Sequence, residues 1–202
     1  LYVLLGKLWT LLVPIGSVAF RMSLFRAAAG AAAVAVVYGI ARSLELGRIA
    51  SAFGAMLLAV APSFWGEANI QRVYTLNALF VALVTLFAVR WFRRGNDRDL
   101  VIAFFAAGLG ATNHTFMVIA AIAVAITAAI VQPSIVRRWK VVAAAAGAFA
   151  AGLLPYLFLP FRSRQDPRLD WGNPEAWDAF IAVITRREYW DRKWIEGPAD
   201  LV

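Results

Sequence analysis

Glu67 stands five residues before Arg72 in Gly66-Glu67-Ala68-Asn69-Ile70-Gln71-Arg72, with no other acid between Glu45 and Asp97. A lone carboxylate at the edge of an apolar region can take a proton from a hydroxyl as a general base. The plainer alternative is a solvated loop acid, or a partner for Arg72. His114, preceded by Asn113, interrupts a long apolar stretch, and a break there must be buried in protein or line a wet cavity. The imidazole could donate to a phosphate; alternatively, the pair satisfies backbone groups that the break sets free. Arg162, Arg164 and Arg168 follow the last apolar run, with Arg186 and Arg187 further on. A guanidinium grips phosphate oxygens in a bidentate fork, or rests against anionic lipid heads. Trp171-Gly172-Asn173-Pro174 combines an aromatic face and an amide that suit a sugar ring, and equally reads as a turn anchored by an interfacial Trp.

These residues sit in a chain of 202 residues that is 62% hydrophobic and 16% charged. Soluble domains are closer to about half apolar and a quarter charged, so an ordinary soluble domain is excluded. Cysteine is absent and His114 is the single histidine, which removes disulfides, thiolate sites and histidine clusters; no metal site is expected. The net charge of +8 does not point to nucleic acid, because the positive excess lies entirely in the apolar residues 1–160, whereas 161–202 are nearly balanced. The expected partner of such a chain is the lipid bilayer.

A helix needs roughly 20 apolar residues to cross a hydrocarbon core of about 30 Å. Residues 24–41, 49–65, 73–92, 115–131 and 141–161 qualify or nearly so, and 100–112 is a shorter sixth. Joined, 100–131 would be about 48 Å long at 1.5 Å per residue, so a break at Thr112-Asn113-His114-Thr115 is expected. Lys and Arg concentrate in short cytoplasmic loops. Six spans bring Arg42 and Arg48, then Arg90 to Arg98, then Arg137, Arg138 and Lys140 to one side; five would separate the last group from the others. The opposite, outward side then carries Arg21, Arg26, Glu67, Asn69, Gln71, Arg72, Tyr74, Asn77, Asn113 and His114, together with the tail.

The expected fold is all-α: a polytopic transmembrane bundle over 1–160, with an interfacial helix at 1–15, Ala- and Gly-rich spans that pack closely, and an outward segment at 161–202. Within that segment Asp166-Pro167, Trp171 to Pro174 and Gly197-Pro198 mark turns, and a short amphipathic helix is expected near 175–187. Trp65, Trp91 and Trp139 fall at span ends. The chain opens at Leu1 inside an apolar run without a basic n-region, and it reads as a piece of a longer protein rather than as a signal peptide and its cargo. Enrichment in Ala and Arg suggests a bacterial plasma (inner) membrane.

Leu1 to Leu8, Gly16 to Ser23, Val73-Tyr74-Thr75-Leu76-Asn77, Gly108 to His114 and Trp171 to Pro174, in that order, resemble the DUF2723 family, the membrane proteins related to the TMEM260-type protein O-mannosyltransferases. The resemblance runs from Leu1 to about Tyr189. It implies a GT-C glycosyltransferase fold that moves a sugar, mannose, from a polyprenyl-phosphate donor to a protein or other hydroxyl acceptor at the periplasmic or lumenal face, with no tightly bound cofactor. The implied donor-phosphate contacts are Arg162, His114, Asn113 and Arg72, and the sugar or acceptor contacts are Tyr74, Asn77, Trp171 and Asn173. Family members carry an acidic outer-loop motif upstream of the segment matching Leu1, so the principal base is expected before this chain begins, and the fragment alone is expected to be inactive. Where the family often has Glu before Val-Tyr, this chain has Arg72, which leaves Glu67, a helical turn and a residue away, as the catalytic candidate here. Two other readings compete. One is a transporter with a midplane site at Asn113-His114, and the other is a structural membrane subunit.

Overall fold

Local chemistry sets most helix boundaries in the computed structural model, which describes residues 1–70 and 72–189. Helix α1 spans Tyr2–Leu12. The Ser17 hydroxyl accepts from the Phe20 amide at 3.2 Å and caps α2, Val18–Ser43. Helix α3, Arg48–Val60, gives way to α4, Pro62–Asn69, through a bend of 55°. Pro62 has no N–H to continue the ladder, and it pushes Ala61 into extended backbone at ψ 126°. Helix α5, Tyr74–Arg94, stops at Gly95, whose φ of 67° needs no side chain and whose N–H returns to the Trp91 carbonyl at 2.8 Å. Asn96 then caps α6, Asp97–Asn113, and Asp97 and Asp99 lie in its first turn, where the helix dipole favours negative charge. Helices α7, Met117–Val131, and α8, Trp139–Gly152, are joined by a 3₁₀ segment at Pro133–Arg137.

The described chain is all helical, without a strand, and divides into two units: Leu1–Leu153 and the residues from Leu154 onward. In the first unit, α6 is the axis, packed against α5, α7 and α8. Phe25 and Ala29 of α2, Leu76, Phe80 and Val84 of α5, Ala106, Ala107 and Ala111 of α6 and Met117 and Ala121 of α7 form one buried core. A smaller cluster joins Trp91, Leu100, Ala128 and Ile135. Helices α6 and α8 approach backbone to backbone. A Cβ on Gly108 would overlap the Phe149 carbonyl oxygen, and one on Gly152 would come within 2.6 Å of the Leu109 nitrogen.

Ion pairs tie the basic connections together at one end of this unit. Arg93 pairs with Glu45 of the α2–α3 turn, Arg138 pairs with Asp97 at the start of α6, and Arg90 reaches Asp99 at 3.3 Å. At the other end, the Asn113 amide donates to the Val73 carbonyl oxygen at 3.2 Å. Helix α6 therefore runs the full length of α5, and α7 returns along it to the basic end.

Outward faces are apolar. Ile119, Ile122, Ile126 and Ile130 make an exposed stripe at helical spacing along α7, while its buried residues, Met117, Ala121 and Ala128, and those of α6 are mostly small. That inverts the pattern of a water-soluble protein and suits a lipid solvent. By length and composition alone, Val18–Ser43, Tyr74–Arg94 and the run Trp139–Ser163 can each cross a membrane, and the bent α3–α4 pair makes a fourth if taken as one span. The expected straight span over 49–65 is thus a broken one. Helices α6, with 17 residues and a charged first turn, and α7, with 15, fall below the length of a free-standing span. The expected break between them is present: α6 ends at Asn113, and His114 takes extended backbone at φ −149°.

The second unit holds a 3₁₀ turn at Leu154–Leu157, α9 at Phe158–Ser163, α10 at Trp177–Ile184 and a 3₁₀ turn at Arg187–Tyr189. Helix α10 is the core of the amphipathic segment expected over 175–187. Gln71, the Gly197-Pro198 turn and the rest of 190–202 lie outside the described residues.

Candidate functional site

The end of the first unit opposite the basic loops gathers most of the residues singled out above. Asn113 closes α6 and is 7% exposed, so its bond to Val73 is sheltered from water, and its carbonyl oxygen Oδ1 has no partner. That clamp fixes the start of α5 beside the α6–α7 break. It brings the Tyr74 ring to 5.9 Å from the His114 ring, which in turn lies 4.8 Å from Phe116. The Phe116 amide donates to His114 Nδ1 at 3.4 Å. Tyr74 is 43% exposed at the first position of α5, and its hydroxyl end can meet a ligand.

Buried polar atoms without partners cluster around this clamp. Asn77 Oδ1, Asn113 Oδ1 and the hydroxyl of Thr75, which is 1% exposed, are all unsatisfied within the protein. A buried acceptor without a donor costs about 1 to 3 kcal/mol, and such groups concentrate where a ligand or ordered water supplies the missing bonds. Thr75 carries no role in the sequence reading, because a threonine near the start of an apolar helix looks like any other small residue; its isolation is visible only in three dimensions.

Glu67 belongs to α4, the second arm of the bent α3–α4 pair, and its Oε1 lies 3.7 Å from Arg72 Nη1. Its Oε2 is buried without a partner, which leaves one carboxylate oxygen uncommitted. Glu67 thus pairs with Arg72, as the plainer expectation had it, and keeps one acceptor oxygen. Arg72 is half exposed and stands in the short link between α4 and α5.

In the second unit the candidate residues have local partners. Arg162 of α9 is exposed and donates to Gln165 Oε1 at 3.0 Å. The buried Ser163 hydroxyl lies 2.6 Å from Asp170 Oδ2 and 3.1 Å from Asn173 Oδ1, so Asn173, at φ +37°, is held as a turn residue. The Trp171 indole N–H donates to the Glu188 carboxylate at 3.0 Å, and the ring is 70% exposed. Gly172 turns at φ +72° against Val183, where a Cβ would stand 2.5 Å from the valine methyl. The Trp-Gly-Asn-Pro segment is thus a built turn that presents an open aromatic face.

Compared with known families, residues 1–135 match the one described as the Protein O-mannosyl-transferase TMEM260 N-terminal domain. The chain belongs to this family. It is also 28% identical, over 201 residues, to Protein O-mannosyl-transferase TMEM260 of Mus musculus. That alignment covers 94% of this chain and 28% of the mouse protein, so the chain spans little more than a quarter of its relative. No solved structure matches the chain. The matched region contains Glu67, Arg72, Tyr74, Asn77, Asn113 and His114, and within it the Asn113–Val73 bond holds Tyr74 beside His114. Arg162, Trp171 and Asn173 lie beyond it. Among the described residues, no group of histidine, aspartate and glutamate side chains is arranged to hold a metal ion.

Proposed function

We propose that the full-length protein is a GT-C-type membrane glycosyltransferase that moves a sugar, mannose, from a polyprenyl-phosphate donor to a hydroxyl of a protein acceptor. The observation that carries this reading is the match to the TMEM260 N-terminal domain over the residues that form the polar end of the first unit. The printed name of the mouse relative, a protein O-mannosyl-transferase, supplies the reaction class. In this reading the polar end faces the periplasm or lumen and the basic end faces the cytoplasm of a bacterial inner membrane. What supports that orientation is the gathering of the basic loops in ion pairs at one end and the Asn113–Val73 bond at the other.

Each side chain then has a task its chemistry can perform. A carboxylate removes the acceptor proton, while cationic and N–H donors neutralise charge gathering on the departing phosphate. Arg162, His114, Asn113 and Arg72 are the proposed phosphate contacts, and Tyr74, Asn77, Trp171 and Asn173 the proposed sugar or acceptor contacts. Glu67, with its uncommitted oxygen, is the proposed base within this chain. Residues 1–202 alone are proposed to be inactive, since they span 28% of the mouse relative.

The test is glycan transfer by the full-length protein in membranes, measured against donor concentration. Arg162→Gln is expected to raise the donor requirement, and the loss of one charge-assisted contact should cost about 1.5 to 3 kcal/mol, roughly one to two decades in rate. Glu67→Gln is expected to lower turnover without changing the donor requirement. Wild-type kinetics in both variants, with protein levels and folding preserved, would overturn the site assignment. Absence of any mannosyl transfer by the wild-type protein would overturn the function.

A further inference from the structure

Arg26 is a buried cation with no counter-ion among the described residues. It lies on α2 and is 5% exposed, and only its Nη2 finds an acceptor, the Ser23 hydroxyl at 2.9 Å. Nε and Nη1 are buried without any partner, and no carboxylate comes within ion-pair range among the described residues. Arg21, on the same helix, shows what a satisfied arginine looks like here: its guanidinium is spent on the Gly16 and Thr10 carbonyl oxygens and ties α1 to α2. A guanidinium cannot shed its proton to escape burial, so an unpaired one is costly until an anion meets it.

The opening beside this charge is a groove of about 420 Å³ between α2 and the bent α3–α4 pair. Ser23 and Arg26 lie on its α2 side, Phe64, Trp65 and Asn69 on its α4 side, and Gly30 in its floor. Its walls are otherwise apolar, so the groove joins one cationic point to a greasy channel. Depth along the helix fits the same chemistry. From Arg26 to the end of α2 at Ser43 is about 26 Å at 1.5 Å per residue, close to the hydrocarbon thickness of about 30 Å. With the Ser43 end at one interface, Arg26 stands at the level of the opposite headgroups, beside the exposed Trp65 that such a level favours.

We infer that Arg26 and the α2–α4 groove form a binding site for a membrane amphiphile, with the phosphate of its head on the Arg26 guanidinium and its apolar chain along the groove. A phosphate oxygen pair can grip one edge of the guanidinium, Nη2 together with Nε or with Nη1, once the Ser23 hydroxyl turns aside from Nη2. Two sources share this chemistry, a bilayer phospholipid and a polyprenyl phosphate. The site requires only that the chain lie in a membrane, so it stands or falls independently of sugar transfer.

The experiment uses the full-length protein purified in a neutral, phosphate-free detergent. Thermal stability and native mass spectra are recorded against phosphatidylglycerol, a short-chain polyprenyl phosphate and inorganic phosphate. Stabilisation and retained adducts are expected with at least one of the two lipids, and the lipid that gives them identifies the source; inorganic phosphate is expected to give little. Arg26→Met is expected to weaken that lipid by at least about tenfold, while Arg48→Gln, an exposed arginine at the opposite end of the bundle, keeps it. Gly30→Leu tests the groove without touching the charge, and is expected to abolish the lipid effect; it also serves if Arg26→Met does not fold. Equal lipid responses in wild type and both variants, no response to either lipid, or a full response to inorganic phosphate alone would each overturn the site.

Discussion

Asn113 and Val73, forty residues apart, are joined by a 3.2 Å hydrogen bond from the asparagine amide to the valine carbonyl oxygen. The bond ties the end of α6 to the start of α5, and the approach of Tyr74 to His114 depends on it. Val73 precedes the first turn of α5 and Asn113 is the last residue of α6, so one side chain sets the distance between Tyr74 and His114.

Asn113→Ala should loosen that end while leaving the bundle assembled. Removing the amide leaves the Val73 carbonyl with its in-helix donor alone, the Asn77 N–H at 3.0 Å, so the expected loss is that of one hydrogen bond, about 0.5 to 1.5 kcal/mol. The measurement is thermal unfolding in detergent, together with the accessibility of a cysteine at position 116. A wild-type melting temperature with unchanged accessibility would remove the clamp from the account.

The contact between α6 and α8 predicts a sharp contrast among glycines. Gly108→Leu places side-chain atoms against the Phe149 carbonyl, backbone that cannot move without separating the helices. A loss of about 3 kcal/mol or more is expected. Gly147 has nothing within 4 Å of where its Cβ would stand, so Gly147→Ala should be neutral or stabilising by up to about 1 kcal/mol through helix propensity. Similar stabilities for the two variants would mean that α6 and α8 do not approach as described.

The basic end offers a double-mutant cycle. Asp97 pairs with Arg138 and also receives the Trp91 indole N–H at 3.4 Å, so it links α5, α6 and the segment before α8. Both charged side chains are about one-third exposed, which limits the coupling of Asp97→Asn with Arg138→Gln to about 0.5 to 1 kcal/mol. Added salt should reduce it, because exposed charges are screened. A coupling of zero at low salt would show that the pair does not hold the ends together.

Absence of cysteine makes topology directly measurable. Single cysteines at Arg94 and Ser134 should label from one side of the membrane and a cysteine at Phe116 from the other, because α6 and α7 form a hairpin between those connections. Labelling of all three from one side would make α6 and α7 a re-entrant pair rather than two traverses.

Much of the fold was legible before any coordinates, because its signals are local. The Asn113-His114 break, read from the sequence, acts on the backbone within a turn of its own position; the Pro62 stop is just as local, yet the expected span over 49–65 runs through it. The apolar runs are nearly continuous, since a helix surrounded by lipid needs no polar face, so helices announce themselves by composition. The same uniformity hides what lies between them. In Ala-rich helices that are apolar all round, no periodic pattern says which face meets a neighbour, so the pairing of α6 with α8 through Gly108 and Gly152 came only from the folded chain.

The polar residues divide in the same way. Arginines in short loops follow from the sequence, because membrane orientation is set by where cations lie along the chain. Which cations are satisfied does not follow, because a partner is set by distance in space. Arg21 and Arg26 are five residues apart on one helix, yet one is fully bonded to carbonyl oxygens and the other is buried with two nitrogens unpaired. Asn173 and Trp171 make the same point. Their types suit a sugar, and only the folded second unit shows what holds them in place, Ser163 beside Asn173 and Glu188 on the Trp171 indole N–H, with the Trp171 ring left exposed. Residue type and order determined a membrane-embedded helical chain with polar groups at one end; tertiary packing alone decided which of those groups still lack a partner, because burial and hydrogen bonding are properties of neighbours that the linear order does not contain.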